Sequence, residues 1–246
     1  GKYTNLSESY KSLNEALFHS GIYHNTKVEI NWIDSKKIEN FSNCEKILKS
    51  FNGILVPGGF GKDGTIGKIN AIKISKQFNI PFLGICFGMQ LAILESISNL
   101  KGFKNASSTE FGETSTPVIS MIHEWKKNKK IMTHDTKNLG GSMRLGSYTS
   151  VLLKGSKINS IYKKNRINER HRHRYEVNYE FKNDIEKSGV ILSGMSPDGN
   201  LVETMERRDH PWFLGVQFHP ELKSTPFKPH PIFNSFIKAL LENNPK

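Results

Sequence analysis

The 246-residue sequence predicts an α/β fold: an open, mostly parallel central sheet with helices on both faces, plus a small antiparallel section. In the first 100 residues, short apolar runs alternate with segments whose apolar residues recur at helical spacing. This order is typical of parallel strands joined by helices. The second half contains short extended segments joined by tight turns. No internal repeat or low-complexity linker divides the chain, so we expect one domain over residues 1–246.

Periodicity and turn residues place each element in order. The first helix is predicted over 7–20, with Gly21 as its stop signal. The further helices are predicted over 38–51, 65–78 and 87–100, and the strands of the first half over 28–33, 53–56 and 80–85. The strands of the second half are predicted over 189–195, 201–206 and 212–218, with turns at 196–200 and 209–211 between them.

Composition excludes several classes of protein. Hydrophobic residues make up 36% of the chain, which is enough for a core and excludes wholesale disorder. Two cysteines exclude a disulfide-stapled scaffold and suit a reducing compartment, so we expect a cytoplasmic protein. The longest apolar stretch, 80–94, is too short and too interrupted to cross a bilayer.

The net charge of +12 is concentrated in two short stretches. Residues 157–174 carry a net +6, and residues 124–130 carry a net +3 within a hairpin-like insertion over 122–133, which we interpret as a solvated loop. In the segment 170–174, arginine and histidine alternate, so a strand there would put the arginines on one side and the histidines on the other. The charge leaves two interpretations open, an anion-binding edge and a basic rim.

The most informative segment joins the predicted strand 80–85 to the following helix through the pattern G-x-C-x-G. Gly84 and Gly88 let the backbone turn sharply around Cys86, as in a nucleophile elbow. Cys86 then lies at a helix N-terminus, where the helix dipole favours a thiolate and free N–H groups can receive an oxyanion. Cys44, on a weaker helix, is interpreted as an ordinary core cysteine.

A nucleophilic cysteine needs a base, and the base needs an orienting group. His219 follows the predicted strand 212–218, and Glu221 lies two residues on, on the same side of an extended backbone. Pro220 stiffens the link between them. The sequence therefore predicts a catalytic triad of Cys86, His219 and Glu221.

These motifs resemble known ones. Two motifs resemble those of the class I (triad-type) glutamine amidotransferases: GICFGMQ at 84–90 and QFHPE at 217–221. The glutaminase domain of the CTP synthase family is resembled at GKYT (1–4), VPGGFG (56–61), STEF (108–111), LGGSMRLG (139–146) and ERHRHRYEVN (169–178). The resemblance implies a flavodoxin-like fold and a ligase of CTP and pyrimidine biosynthesis whose glutaminase releases ammonia from L-glutamine through a cysteine thioester.

The resemblance also implies residue roles and partners. The backbone N–H groups of Gly59 and Phe87 would form the oxyanion hole. The glutamine-binding residues would be Gly59, Phe87, Gly88, Met89, Gln90, Glu110 and Arg174. An N-terminal amidoligase domain, absent from this chain, would bind ATP, UTP and Mg²⁺. GTP would be an effector, and the parent enzyme would be a homo-tetramer. The domain itself would need no cofactor or metal and would bind neither nucleic acid nor membranes.

Two other classes of function remain to be distinguished. One is another triad-type enzyme, such as a γ-glutamyl hydrolase or the glutaminase of GMP synthase, although the segments 108–111 and 170–174 argue against both. The other is a basic nucleic-acid-binding module, which would show steep salt dependence and leave the elbow unexplained. A catalytically inactive regulatory domain is disfavoured by the intact triad. A metal site at His171 and His173 lacks further ligands nearby.

Overall fold

The structure is a computed structural model that describes residues 1–4, 7–121, 126–127, 130–131 and 143–243. Its strands are β1 (Ile54–Val56), β2 (Phe82–Ile85), β3 (Ser107–Ser108), β4 (Pro117–Met121), β5 (Lys126–Lys127), β6 (Lys130–Ile131), β7 (Arg144–Leu152), β8 (Arg166–His173), β9 (Tyr175–Val177), β10 (Val190–Met195), β11 (Val202–Arg207) and β12 (Phe213–Val216). Its helices are α1 (Lys11–Tyr23), α2 (Phe41–Leu48), α3 (Thr65–Phe78), α4 (Phe87–Ile97), α5 (Lys157–Tyr162), α6 (Lys182–Lys187) and α7 (Pro231–Glu242).

The central sheet has seven strands in the order β1-β2-β12-β11-β10-β7-β8. Strand β2 lies inside it and is buried along its whole length. Its successive side chains reach opposite faces, so that Phe82 packs with α3 and α4 while Leu83 packs with α1 and α7. Helices therefore cover both faces, and the predicted α/β class is confirmed.

The sheet is mixed, whereas the sequence predicts a mostly parallel one. Only β1–β2 and β2–β12 pair in parallel, and the remaining four pairings are antiparallel. The reason lies in the connections. The turns at 196–200 and 208–212 are too short for a crossover, so β10, β11 and β12 must reverse direction at each turn. A second sheet, β3-β4-β9, supplies the small additional section and contains one parallel and one antiparallel pairing.

The strand predicted over 28–33 does not form. In this segment, exposed residues separate the partly buried Val28, Ile30 and Ile33, but it pairs with no strand of the described chain. Val28 and Ile30 still pack against the core. An alternating pattern indicates that one face of a segment is buried, but it does not indicate whether a neighbouring strand pairs with that segment.

Two glycines allow α4 to pack tightly on the strands. A Cβ atom on Gly88 would lie 2.1 Å from the Val56 carbonyl oxygen, and one on Gly84 would lie 2.8 Å from the Gly88 carbonyl carbon. The start of the helix and two strands thus meet backbone to backbone. This contact fixes the position of Cys86, the residue between β2 and α4.

Substituting Gly88→Ala is expected to lower the free energy of unfolding by about 3 kcal/mol, because backbone must move to admit the methyl group. Urea denaturation measures the change. Lys73→Ala, on the exposed side of α3, is the control and should change stability by less than about 0.5 kcal/mol. Equal stability of both variants would contradict the close contact.

Candidate active site

Cys86 lies at the turn between β2 and α4, as predicted. Its backbone has φ 54° and ψ −105°, a left-handed conformation that is rare outside glycine. The Cys86 amide donates to the Val216 carbonyl over 2.7 Å, which ties the elbow to β12. The side chain is only 3% exposed. The local strain and the anchor together hold the thiol above the carboxyl end of the parallel strands.

His219 and Glu221 stand next to this turn. The His219 amide donates to the Arg170 carbonyl over 2.8 Å, so β8 positions the histidine backbone. His219 Nδ1 lies 2.7 Å from Glu221 Oε1. Gly58 lies against both residues, since a Cβ on Gly58 would lie 3.0 Å from His219 Cε1 and 3.7 Å from Cys86 Cβ.

The electrostatics of His219 suit an imidazolium. Burial acts to lower its pKa, but hydrogen bonds to Cys86 and Glu221, and the charges of both groups, outweigh burial and raise the pKa to about 10. Because an ionised carboxylate only accepts hydrogen bonds, His219 Nδ1 is the donor to Glu221. Nε2 is then left to face the thiol, which is the arrangement a proton carrier requires.

The residues predicted to form the oxyanion hole, Gly59 and Phe87, lie next to each other near Cys86. Phe87 is the first residue of α4, so no intrahelical carbonyl can accept its N–H or that of Gly88. A Cβ on Gly59 would lie 3.7 Å from Phe87 Cδ1, which brings the loop 57–61 against the helix start. The two predicted N–H donors therefore come from adjoining segments.

Gln90 and Gln217 connect the thiol of Cys86 to the backbone carbonyl of Tyr175. Gln90 Nε2 donates to the Tyr175 carbonyl over 2.8 Å and to Gln217 Oε1 over 3.0 Å. Gln217 Nε2 in turn donates to Cys86 Sγ over 3.7 Å. In the sequence Gln217 is only one letter of the QFHPE motif, and its contact with the thiol arises because the fold places β12 beside α4.

The two charged residues predicted to bind glutamine differ in their contacts. Glu110 accepts from the Gly61 amide over 2.7 Å, and burial raises its pKa despite that bond. Arg174 follows β8 directly, and its Nε is buried without a hydrogen-bond partner in the part of the chain that the structure describes. Arg174 also precedes Tyr175, the residue whose carbonyl holds Gln90.

Met89 differs from the other residues of this group. Its side chain is fully buried in the core, where a Cβ on Gly215 would approach Met89 Cγ to 2.7 Å. The Met89 amide donates to the Cys86 carbonyl over 3.1 Å. Its predicted contact with glutamine stays a prediction.

Lys68 is a residue near the site that the sequence analysis missed. Its side chain is 2% exposed, and its Nζ has no hydrogen-bond partner among the described residues. Burial lowers its pKa to about 8. Nζ lies 4.7 Å from the centre of the Phe87 ring and 3.2 Å from where Gly59 would carry a Cβ. A lysine within a helical pattern gives no signal of such burial, so only the fold could reveal it.

Cys44 and the paired histidines behave as structural groups. Cys44 is fully buried, and burial raises its pKa to about 11. His171 Nδ1 and His173 Nε2 lie 2.9 Å apart and bond to each other. Within the described ranges, no group of three or more His, Cys, Asp or Glu residues is arranged to hold a metal, and no helix is long and apolar enough to cross a membrane.

The basic segments are placed in part. Strand β8 alternates as predicted: Arg170 and Arg172 are exposed, and His171 and His173 are buried. The backbone of the predicted hairpin is seen where β5 pairs antiparallel with β6. The other residues of 122–133, and the first half of the motif 139–146, lie outside the described residues.

Comparison with known proteins identifies relatives of this chain. CTP synthase of Pelagibacter ubique is 56% identical over 97% of this chain and 44% of its own length; that of Paramagnetospirillum magneticum is 52% identical over 99% and 45%. The chain thus spans less than half the length of these curated relatives.

Two solved structures share the fold. The glutaminase domain of Trypanosoma brucei CTPS with bound acivicin is 34% identical, with a TM-score of 0.86 over 96% of this chain and 89% of that one. A protein from Thermoplasma acidophilum, described as part of a GMP synthase, is 16% identical with a TM-score of 0.58 over 93% and 88%, and it shares the fold alone. The family model for glutamine amidotransferase class-I matches residues 5–239. The chain therefore belongs to the class-I glutamine amidotransferase family.

Proposed function

We propose that this chain hydrolyses the side-chain amide of L-glutamine to glutamate and ammonia. The observation that carries the proposal is the strained turn at Cys86, with His219 beside it and Glu221 hydrogen-bonded to that histidine over 2.7 Å. Such a group of nucleophile, base and orienting carboxylate serves acyl transfer. The likeness to a glutaminase domain supports glutamine as the acyl donor.

In the first half of the reaction, Cys86 Sγ attacks the amide carbon of glutamine. The carbonyl electron pair moves to oxygen, and the N–H groups of Gly59 and Phe87 hold the resulting oxyanion. The protonated His219 then gives its Nε2 proton to the leaving nitrogen. The carbon–nitrogen bond breaks, ammonia departs, and a glutamyl thioester remains on Cys86.

In the second half, water replaces ammonia. Neutral His219 takes a proton from the water as its oxygen attacks the thioester carbon, and a second oxyanion occupies the same N–H groups. Collapse of this intermediate expels the Cys86 thiolate and releases glutamate. Glu221 stabilises the imidazolium each time that it forms, without itself accepting the proton.

We further infer that the chain acts as one part of a longer cytoplasmic enzyme, a CTP synthase. Relatives of that name are more than twice as long as the matched region. An amidoligase domain would bind ATP, UTP and Mg²⁺ and use the ammonia to convert UTP to CTP, with GTP as effector and a homo-tetramer as the assembly. The exposed Arg170 and Arg172 of β8 would face that domain and anionic nucleotides.

Substituting Arg174→Ala is expected to raise the KM for glutamine by about 10- to 100-fold, because a charge-assisted hydrogen bond to the α-carboxylate is lost. The kcat should change much less. Glutamate release is measured with and without added synthetase domain. Arg166→Ala, an exposed arginine at the far end of β8, is the matched control and should leave KM unchanged.

The glutaminase proposal would be wrong if the wild-type chain released no glutamate at any concentration of added synthetase domain, and if Cys86 also resisted an electrophilic glutamine analogue. An equal KM for the two arginine variants would instead remove Arg174 from the binding site.

A further inference from the structure

A cluster of buried ionisable side chains lies beside the glutamine-binding residues and takes no part in the proposed reaction. Its members come from β7, β8, β9 and β11 and are Arg144, His171, His173, Glu176 and Glu203. Arg144 donates to Glu176 Oε1 over 2.9 Å and to Glu203 Oε1 over 2.8 Å. Both glutamate side chains are fully buried. One guanidinium cannot balance two buried carboxylates, so the cluster needs one more positive charge or one more proton.

A backbone carbonyl fixes the direction of the hydrogen bonds. The Tyr175 carbonyl can only accept, so His173 Nδ1, at 3.2 Å from it, carries a hydrogen. Burial lowers the pKa of His171 to about 2 and that of His173 to about 3, which keeps both rings neutral. His173 Nε2 is then an acceptor, and the donor 2.9 Å away is His171 Nδ1. His171 Nε2 consequently bears no hydrogen.

The bare nitrogen of His171 faces a carboxyl oxygen. His171 Nε2 lies 3.3 Å from Glu203 Oε2. Neither atom has a hydrogen-bond partner within the described residues. Two acceptors at this distance repel each other unless a proton lies between them. A proton on Glu203 Oε2 makes the hydrogen bond and also leaves Arg144 with a single carboxylate, that of Glu176.

We propose that Glu203 is protonated at neutral pH and is a positioning residue for the glutamine pocket. Its carboxyl donates to His171, which donates to His173. His173 in turn donates to the Tyr175 carbonyl, the same oxygen that accepts from Gln90 Nε2 over 2.8 Å. The chain of donors thus orients the carbonyl that holds Gln90. The positioning role rests on the proposed function, whereas the proton on Glu203 does not.

The contacts of the two glutamates place the proton on Glu203. Burial raises the pKa of both, that of Glu176 to about 8, and Arg144 opposes burial in both cases, so the contacts must decide. Glu176 Oε1 meets the donors Arg144 at 2.9 Å and His173 Nδ1 at 3.5 Å, while its Oε2 has no hydrogen-bond partner within the described residues. The difference is that Glu203 Oε2 faces the bare His171 Nε2, so the proton belongs there. The charge of Asp198, in the turn before β11, acts to raise the pKa of Glu203 further. Burial lowers the pKa of His171 and His173, and the charge of His219 lowers it further, so both rings stay neutral.

The variant Glu203→Gln tests for the proton, because its amide keeps the donor and the shape but cannot ionise. A raised pKa in the folded state gives stability that is complete below the unfolded value and is lost as pH rises. The folding equilibrium constant of the wild type, divided by that of Glu203→Gln, should therefore fall about tenfold per pH unit between about pH 5.5 and 7.5. Urea denaturation at each pH gives both constants.

Glu176→Gln is the matched variant, since it changes the other partner of Arg144. Its ratio to wild type should fall in the same way, because Arg144 is again left with a single carboxylate, that of Glu203, which then ionises. A constant ratio for Glu203→Gln would overturn the extra proton. Carbon-13 NMR of the side-chain carboxyl groups that showed Glu176 protonated and Glu203 ionised at pH 7 would overturn its assignment to Glu203.

The positioning role has its own test. Glu203→Met, which lacks a donor, is expected to raise the KM for glutamine by about fivefold or more, and Glu203→Gln to restore it to within about twofold of wild type. Alkylation of Cys86 by iodoacetamide should be equal in both variants, since it needs no bound glutamine. Equal KM values for Met and Gln would overturn the role. Nitrogen-15 NMR of the wild type tests the protonation of the two histidines without any substitution. An imidazolium at His171 or His173 would contradict the proposed series of hydrogen bonds.

Discussion

Cys86→Ala is expected to lower glutamate release by about 10⁴-fold or more, because no other group can form the thioester. The loss should appear in kcat, with little change in the affinity for glutamine, since the residues proposed to bind it remain in place. Rates of glutamate release and the binding of glutamine, followed by calorimetry, measure the two effects. Stability should change little, because alanine keeps a Cβ in the same strained backbone conformation and only the sulfur atom is lost.

Cys44→Ala is the matched control for this prediction. It also removes a buried thiol, but one whose pKa burial raises to about 11 and which packs from α2 into the core. Some stability should be lost and kcat should be unchanged. If Cys86→Ala kept more than a small fraction of wild-type kcat, the hydrolysis would have to use another nucleophile.

Glu221→Gln is expected to lower kcat by about 10³- to 10⁴-fold while the fold is retained, because the amide can present either its oxygen or its NH₂ to His219. The imidazole then loses the partner that fixes its tautomer and stabilises its charge. Glu221 raises the pKa of His219 through a hydrogen bond and through its charge. The variant should therefore have a histidine that loses its proton at lower pH than in wild type.

The pH dependence separates this effect from simple damage. With the pKa of His219 at about 10, the wild type keeps the imidazolium, and kcat/KM should stay level from about pH 7 to 9. In Glu221→Gln the residual kcat/KM should fall over that range. The same shift stabilises the wild-type fold: the contribution is complete below about pH 6.5 and is lost as pH rises through about 10. Parallel pH profiles of the two proteins would contradict the role of Glu221.

The elements that carry the chemistry could be predicted from the sequence because each has a local signal. The glycines around Cys86 predict a sharp turn, and Pro220 between His219 and Glu221 predicts a short rigid link. The predicted bounds of α3 match the observed ones for the same reason, an uninterrupted helical period. These signals depend only on residues that are neighbours in the sequence, so they can be identified without knowing the tertiary structure.

What the sequence could not provide depends on contacts between distant segments. The direction of strand pairing depends on the length of the connections as well as on periodicity. The segment 28–33 shows an apolar pattern typical of a strand but pairs with no strand of the described chain. The burial of Lys68 and the contact of Gln217 with Cys86 arise only where α3, β12 and α4 meet. The protons of the Glu203 cluster follow from tautomers, which no residue pattern encodes.

The most direct test of the central claim, that Cys86 is the nucleophile of a glutaminase, is covalent labelling by an electrophilic glutamine analogue followed by peptide mass spectrometry. The account predicts one adduct per chain on Cys86, none on Cys44, and protection by excess L-glutamine. An unlabelled Cys86, or labelling of both cysteines to the same extent without protection by glutamine, would contradict it.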